Sequence, residues 1–263
     1  MNPDINSIQA WKIHHLANYV KSSKVEPSII AITESWLKPH HSKAQVQLNN
    51  YNLFRADRLN NRERGGVLLY IKEDISITLE ESLNNYFCQG LFCLSPSSKL
   101  IVLCGYKPCD APSSSFSQLL EFFDECIKKL EDPYSYTIIV LGDFNFPDLW
   151  NTSSEQVLAR SINETKLVEF LDSHFLVQYV DIATRNNNIL DLFITNNDRL
   201  VSHVKSDSTI LSDHNFVEII LSPKELKTGK SFSSNSSDPS SNHSGFQTLD
   251  LFKAVSLSSK LLC

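Results

Sequence analysis

Nothing in this chain of 263 residues approaches the unbroken apolar length that a bilayer span needs. Its start, Met1-Asn2-Pro3-Asp4, lacks the charged-then-apolar pattern of a secretory leader. The 6 cysteines (Cys88, Cys93, Cys104, Cys109, Cys126 and Cys263) include no CxxC pair, so neither a zinc clip nor a disulfide framework is indicated. Cys93 and Cys104 fall in apolar, strand-like runs, which suits reduced thiols in an intracellular protein, nuclear or cytoplasmic. A basic excess is missing too. The formal charge of −6 and a pI near 5.7 argue against coating nucleic acid by bulk charge. They leave room for an enzyme that meets phosphate locally and lets a cation neutralise it. No internal repeat is visible.

What is present is ordinary for a globular domain: 41% hydrophobic and 21% charged residues, in a chain long enough for one sizeable core. Ile8, Trp11, Leu16, Tyr19 and Val20 follow helical spacing over 8–23. The apolar run 28–33 reads as a strand buried on both faces. Further strands are expected at 67–71, 75–79, 86–94, 100–106, 137–141, 189–194, 201–205 and 216–221. Phe116, Leu119, Leu120, Phe123, Ile127 and Leu130 mark an amphipathic helix, and another is expected over 161–172. Strands 67–106 succeed one another without helices, so part of the sheet is antiparallel and a simple doubly wound fold is unfavourable. The pattern predicts a layered α/β sandwich. The domain is expected to span 1–223. Residues 224–245 are Ser-rich and too poor in apolar residues to form a core, which reads as a disordered linker. A short helix is expected within 246–263.

Three apolar runs end in polar groups: Ala31-Ile32-Thr33-Glu34, Ile138–Leu141 followed by Gly142-Asp143-Phe144-Asn145, and Leu211-Ser212-Asp213-His214. Strand ends are where an α/β fold presents ligand-binding groups. Glu34, Asp143, Asn145, Asp213 and His214 offer hard oxygen ligands and one imidazole, a set suited to Mg²⁺ or Mn²⁺. Such a cation offsets phosphate charge, while a carboxylate and an imidazole orient water for in-line attack. Gly142 permits a tight turn beside Asp143.

The order of these segments resembles the endonuclease/exonuclease/phosphatase superfamily, and within it the apurinic-type endonucleases of non-LTR retrotransposons. The resemblance is carried by Ile30–Leu37, Arg64-Gly65-Gly66-Val67, Tyr106-Lys107-Pro108, Leu141–Asn145 with Pro147 and Trp150, Thr184-Arg185, Leu190-Asp191-Leu192 and Ser212-Asp213-His214. It implies a four-layer sandwich of two packed mixed sheets flanked by helices, and Mg²⁺-dependent nicking of DNA. It also implies roles. Glu34 is the main metal ligand, with Asp213 and Asn6 as further candidates. Asp143 activates water, Asn145 holds water or a phosphate oxygen, and His214 donates to the scissile phosphate. Asp191 fixes the tautomer of His214, and Tyr106 reaches the phosphate. Arg64 and Arg185 are candidate DNA phosphate contacts.

Two departures stand out. The family opens with a full strand, whereas only Asp4-Ile5-Asn6 precedes the expected helix here, so that strand reads as truncated. The reverse transcriptase that normally follows in the same polypeptide is expected to be absent. A lipid or small-molecule phosphatase of the same superfamily, or a truncated inactive remnant, are the alternative readings.

Overall fold

Runs that are apolar at every position become strands covered on both faces, and the computed structural model shows what covers them. It describes residues 5–59, 65–150, 159–222 and 252–258, with stretches 5–11 and 252–258 described by backbone alone. In chain order the elements are α1 (Ile5–Ser22), β1 (Ile29–Thr33), β2 (Tyr51–Ala56), β3 (Val67–Lys72), β4 (Thr78–Asn84), β5 (Gln89–Ser95) and β6 (Leu100–Tyr106). There follow α2 (Ser113–Lys128), β7 (Thr137–Asp143), α3 (Ile162–Ser173), β8 (Val177–Gln178), β9 (Asp191–Thr195), β10 (Val201–Asp207), β11 (Phe216–Leu221) and β12 (Phe252–Ser258).

The strands form two six-stranded sheets, ordered β10-β11-β12-β1-β3-β2 (sheet A) and β4-β5-β6-β7-β9-β8 (sheet B). Both are mixed: β1–β12 and β6–β7 are parallel, while β1–β3 and β7–β9 are antiparallel. Side chains alternate across β1 accordingly. Ile29 and Ala31 enter the core shared with sheet B, whereas Ile30 and Ile32 pack with Leu16 and Val20 of α1. β3 repeats the division, with Val67, Leu69 and Ile71 inward and Leu68 and Tyr70 towards α1. On the far side of sheet B, Phe116, Leu119 and Phe123 of α2 are buried, and full burial of each stabilises by roughly 2–3 kcal/mol. α3 starts on a capping box, with Ser161 Oγ accepting from the Glu164 amide and the Glu164 carboxylate accepting from the Ser161 amide. The layers are helix, sheet, sheet, helices. This is the predicted four-layer sandwich.

The differences from the sequence-based expectation lie at sheet margins and in one interior slot. β2 was not anticipated: it is an edge strand whose apolar positions are interrupted by Asn52 and Arg55. β4 begins at Thr78 rather than 75, because this opposite edge strand is largely solvent-facing and therefore carries a polar sequence. The helix expected within 246–263 is replaced over 252–258 by β12, which pairs with β1 on one side and β11 on the other. Tertiary demand wins here. The backbone groups of two interior strands need partners, and that outweighs a weak helical pattern. The opening strand implied by the family resemblance would precede α1 and, by the crossover rule, lie parallel beside β1. β12 lies in that slot, parallel to β1. Residues 224–245 lie outside the described residues. Cys88, Cys93, Cys104 and Cys126 are buried free thiols and Cys109 is an exposed one. Among the described residues, no helix is long and apolar enough to cross a membrane.

Candidate active site

Sheet B places a row of polar side chains at one end. Gln89 of β5 stands opposite Tyr106 of β6, Tyr106 beside Asp143 of β7, and Asp143 opposite Asp191 of β9. Side chains level with one another on neighbouring strands share a face. All four are buried, Asp191 and Gln89 completely. The backbone approach that makes this row is exacting. Gly142 has φ +140°, and a Cβ there would sit 1.8 Å from the carbonyl oxygen of Gly105 on β6. Only glycine fits. Past the strand, Asn145 takes a left-handed φ of 52°, its amide donates to Asp143 Oδ1 (3.0 Å) and its side-chain amide to the Lys107 carbonyl (2.9 Å). Asp143 is thereby locked against β6 as well as β9.

Sheet A supplies the opposing groups. Directly after β1, Glu34 turns with φ 51°, and its Oε1 accepts a 2.6 Å hydrogen bond from the Tyr106 hydroxyl. The turn is tied down by Ser35 and Trp36 amides donating to the carbonyls of Gly66 and Gly65. The Gly66 amide in turn donates to Gln89 Oε1 (3.0 Å). His214 lies in the loop entering β11, 5% exposed, with Nδ1 2.7 Å from Asp191 Oδ2. Thr184 steadies its partner, since its hydroxyl oxygen accepts from the Leu190 (2.9 Å) and Asp191 (3.2 Å) amides.

The electrostatics follow from crowding acids in a dry place. Burial, then the charge of Asp191, push the Asp143 carboxyl well above the usual range; Glu34 adds to this and His214 opposes it. For His214, burial pulls downward, but the hydrogen bond and charge of Asp191, with Asp143 behind, win and raise its pKa to about 9. Burial and the neighbouring Glu34 carboxylate hold the Tyr106 hydroxyl protonated, as a donor. Among the described residues, Asp143, Asp191 and His214 each offer a ligand atom, all within 4.8 Å of one another. Asp191 Oδ1 is buried without a hydrogen-bond partner among the described residues. An unpartnered buried oxygen beside a second acid fits a cation or a proton, so the donor set suits a metal ion.

Of the residues singled out in the sequence, the structure brings Glu34, Tyr106, Asp143, Asn145, Asp191 and His214 to this one end. Asp213 stands at the rim, half exposed, ion-paired with Arg185 at 2.7 Å. Asn6 falls inside the first turn of α1 instead of ahead of it, in the stretch described by backbone alone. Arg64 lies outside the described residues. Sequence reasoning missed Gln89 and Arg58. Gln89 carries a signal, a lone amide within the run Phe87–Phe92. Arg58 carries none: it follows an edge strand, yet it is 3% exposed and its charge acts on Tyr106.

Residues 100–218 match a family model described as endonuclease-reverse transcriptase. The stretch holds Tyr106, Asp143, Asn145, Asp191 and His214. The endonuclease domain of TRAS1, a telomere-specific non-LTR retrotransposon, is similar in structure, with a TM-score of 0.55 at 15% identity over 84% of this chain and 94% of that one. The chain has the endonuclease/exonuclease/phosphatase fold. An apurinic endonuclease from Leishmania major shares it, with a TM-score of 0.56 at 13% identity over 80% of this chain and 81% of that one. Among curated proteins there is no match. The resemblance read from the sequence holds, and so does the four-layer architecture. Within this endonuclease/exonuclease/phosphatase fold, the polar row lies where both sheets present strand ends.

Proposed function

We propose that the chain hydrolyses phosphodiester bonds in DNA, nicking one strand with the help of a divalent cation, Mg²⁺ or Mn²⁺. The observation that carries the reading is the closure of two sheets over one acidic row. Glu34 meets Tyr106 and His214 meets Asp191, with Asp143 on the strand between. Glu34 is the ligand we assign to the cation, and Asp191, whose Oδ1 faces no hydrogen-bond donor among the described residues, is the second carboxylate that would serve it. Bound there, the ion offsets phosphate charge and lowers the pKa of a water molecule.

The chain's own groups account for the rest. His214 is held protonated by Asp191, and its Nε2 is the pole left to donate to a non-bridging phosphate oxygen, where negative charge grows during attack. Asp143 is the base for the attacking water. Its raised proton affinity suits that role, since a carboxylate of ordinary acidity accepts protons poorly at neutral pH. Asn145, with its carbonyl oxygen still available, positions that water. The Tyr106 hydroxyl orients Glu34. Arg185 and Arg64 are assigned to flanking phosphates, where they act without reading sequence. DNA is favoured as substrate because the matched family model and both similar structures are named as endonucleases.

Nicking of supercoiled plasmid by the purified chain, with and without Mg²⁺, is the test. His214→Ala and Glu34→Ala are each expected to lower the rate by about 10²–10⁴-fold while leaving the circular dichroism spectrum unchanged. A folded wild-type chain that leaves plasmid intact but releases phosphate from inositol phosphates would move the assignment to the phosphatases.

A further inference from the structure

β12 occupies the middle of sheet A although it is separated in sequence from both neighbours. Its register sets it level with the site: Ser258 pairs with Thr33, the residue before Glu34, and Ser256 pairs with Val217, three residues past His214. Neighbouring strands lie about 4.8 Å apart, so β1 and β11 are held roughly 9.6 Å apart by the strand between them. Sheet B has the same arrangement below, with β7 between β6 and β9. The two outer pairs are bonded across the gap, Glu34 to Tyr106 and His214 to Asp191. These bonds form together only while the two spacings match.

We propose that β12 is a spacer strand, fixing the distance between Glu34 and His214, and that DNA cleavage requires it although none of its residues belongs to the catalytic set. The proposal rests on the function assigned above. β1 and β11 run antiparallel to each other, because β12 is parallel to the first and antiparallel to the second. Were β12 to leave, two outcomes are open. The sheet would keep two interior edges with unpaired amides and carbonyls, which is costly. Otherwise β1 and β11 would close directly, moving His214 by about one strand spacing, 4.8 Å, relative to Glu34. A misplacement of about 1 Å already costs on the order of 10² in rate, so neither arrangement cleaves efficiently.

Hydrogen exchange on the full chain reads the strand itself. Amides of residues 252–258 are expected to be protected as strongly as those of β1, and exchange at the rate of an unfolded peptide overturns the proposal whatever the nicking assay shows. Ala254→Pro puts a residue without an N–H in a central strand. It is expected to lower kcat for plasmid nicking at least 10²-fold, while Ser236→Pro, in the Ser-rich stretch, leaves it unchanged. Nicking by Ala254→Pro at the wild-type rate overturns the spacer role. Because proline there can unfold the sheet, the double variant Val217→Cys/Ser256→Cys gives the converse. These opposed residues lie within disulfide range. Mild oxidation is expected to link them with kcat within twofold of wild type and to preserve nicking at a urea concentration that silences the reduced form. Absence of the link, or its formation with loss of nicking in folded protein, overturns the proposal. If residues 252–258 are protected and the double variant cross-links, yet the wild-type chain cleaves no DNA, the nuclease assignment and the cleavage requirement are overturned together, leaving the spacer strand established.

Discussion

The two sheets divide the site between them but are assembled in opposite ways. Sheet B is drawn from one continuous stretch, β4 to β9, and four of its strands set Gln89, Tyr106, Asp143 and Asp191 in register. Sheet A is gathered from three separated pieces, β1 to β3, β10 with β11, and β12. Its contributions, Glu34 and His214, stand on loops and reach the row by single hydrogen bonds. The acidic row is therefore a property of backbone pairing, whereas its covering groups depend on long-range closure. Chemistry and stability should fail separately in the two halves.

The largest effect is expected from breaking the row at its backbone. Gly142→Ala would drive a methyl group into the Gly105 carbonyl at a φ that alanine avoids, costing about 4 kcal/mol or more. Urea denaturation would show it, and a loss below about 1 kcal/mol would mean that β6 and β7 can part cheaply. Next comes the proton held between the sheets. The raised folded-state values of His214 and Asp143 both mean that the native state binds protons more tightly than the unfolded one. The His214 contribution is full below about pH 6.5 and is lost as the pH climbs through about 9, on the order of 3 kcal/mol. In EDTA the melting temperature should fall across that window, and His214→Gln should flatten the slope. A melt that rises with pH over this range contradicts the pairing.

Smaller again is Thr184→Val, which keeps the shape but removes the oxygen accepting two buried amides; about 2 kcal/mol is expected. Because Asp191 then loses its backbone anchor, nicking should drop more than stability alone explains. The smallest is at the rim. Arg185→Ala opens an exposed pair with Asp213, and the expected stability change is under about 1 kcal/mol and vanishes in high salt. A larger loss would show that the rim pair holds the His214 loop.

The same contrast explains what could be read from the sequence. Runs such as 100–106 and 138–141 are almost wholly apolar because both faces are covered, and their strands stand where expected. The site residues at their ends followed, because a carboxylate closing an apolar strand is a local signal. Edge strands were harder: β4 exposes most of its side chains, so solvent rather than the core shaped Thr78–Asn84. β12 was illegible for a different reason. Its partners are distant in the chain, and nothing within Phe252–Ser258 records that β1 and β11 each leave an edge open. The family resemblance names Asp191 as the partner of His214, whereas it assigns Tyr106 to the phosphate and not to Glu34, to which its hydroxyl donates; neither hydrogen bond has a local trace. Gln89 shows the remaining gap. An amide inside an apolar strand announced burial with a partner, but not that the partner was the glycine turn behind Glu34.

The place of β12 also has a consequence in time. A ribosome makes Leu221 some thirty residues before Phe252, a delay of roughly 2–6 s at ordinary elongation rates. During that interval every residue of sheet B and of β10 and β11 has been made, while the centre of sheet A still waits for its last strand. The emerging chain would hold Glu34, Asp143, Asp191 and His214 before the strand that sets the spacing between the two sheets' contributions has been made.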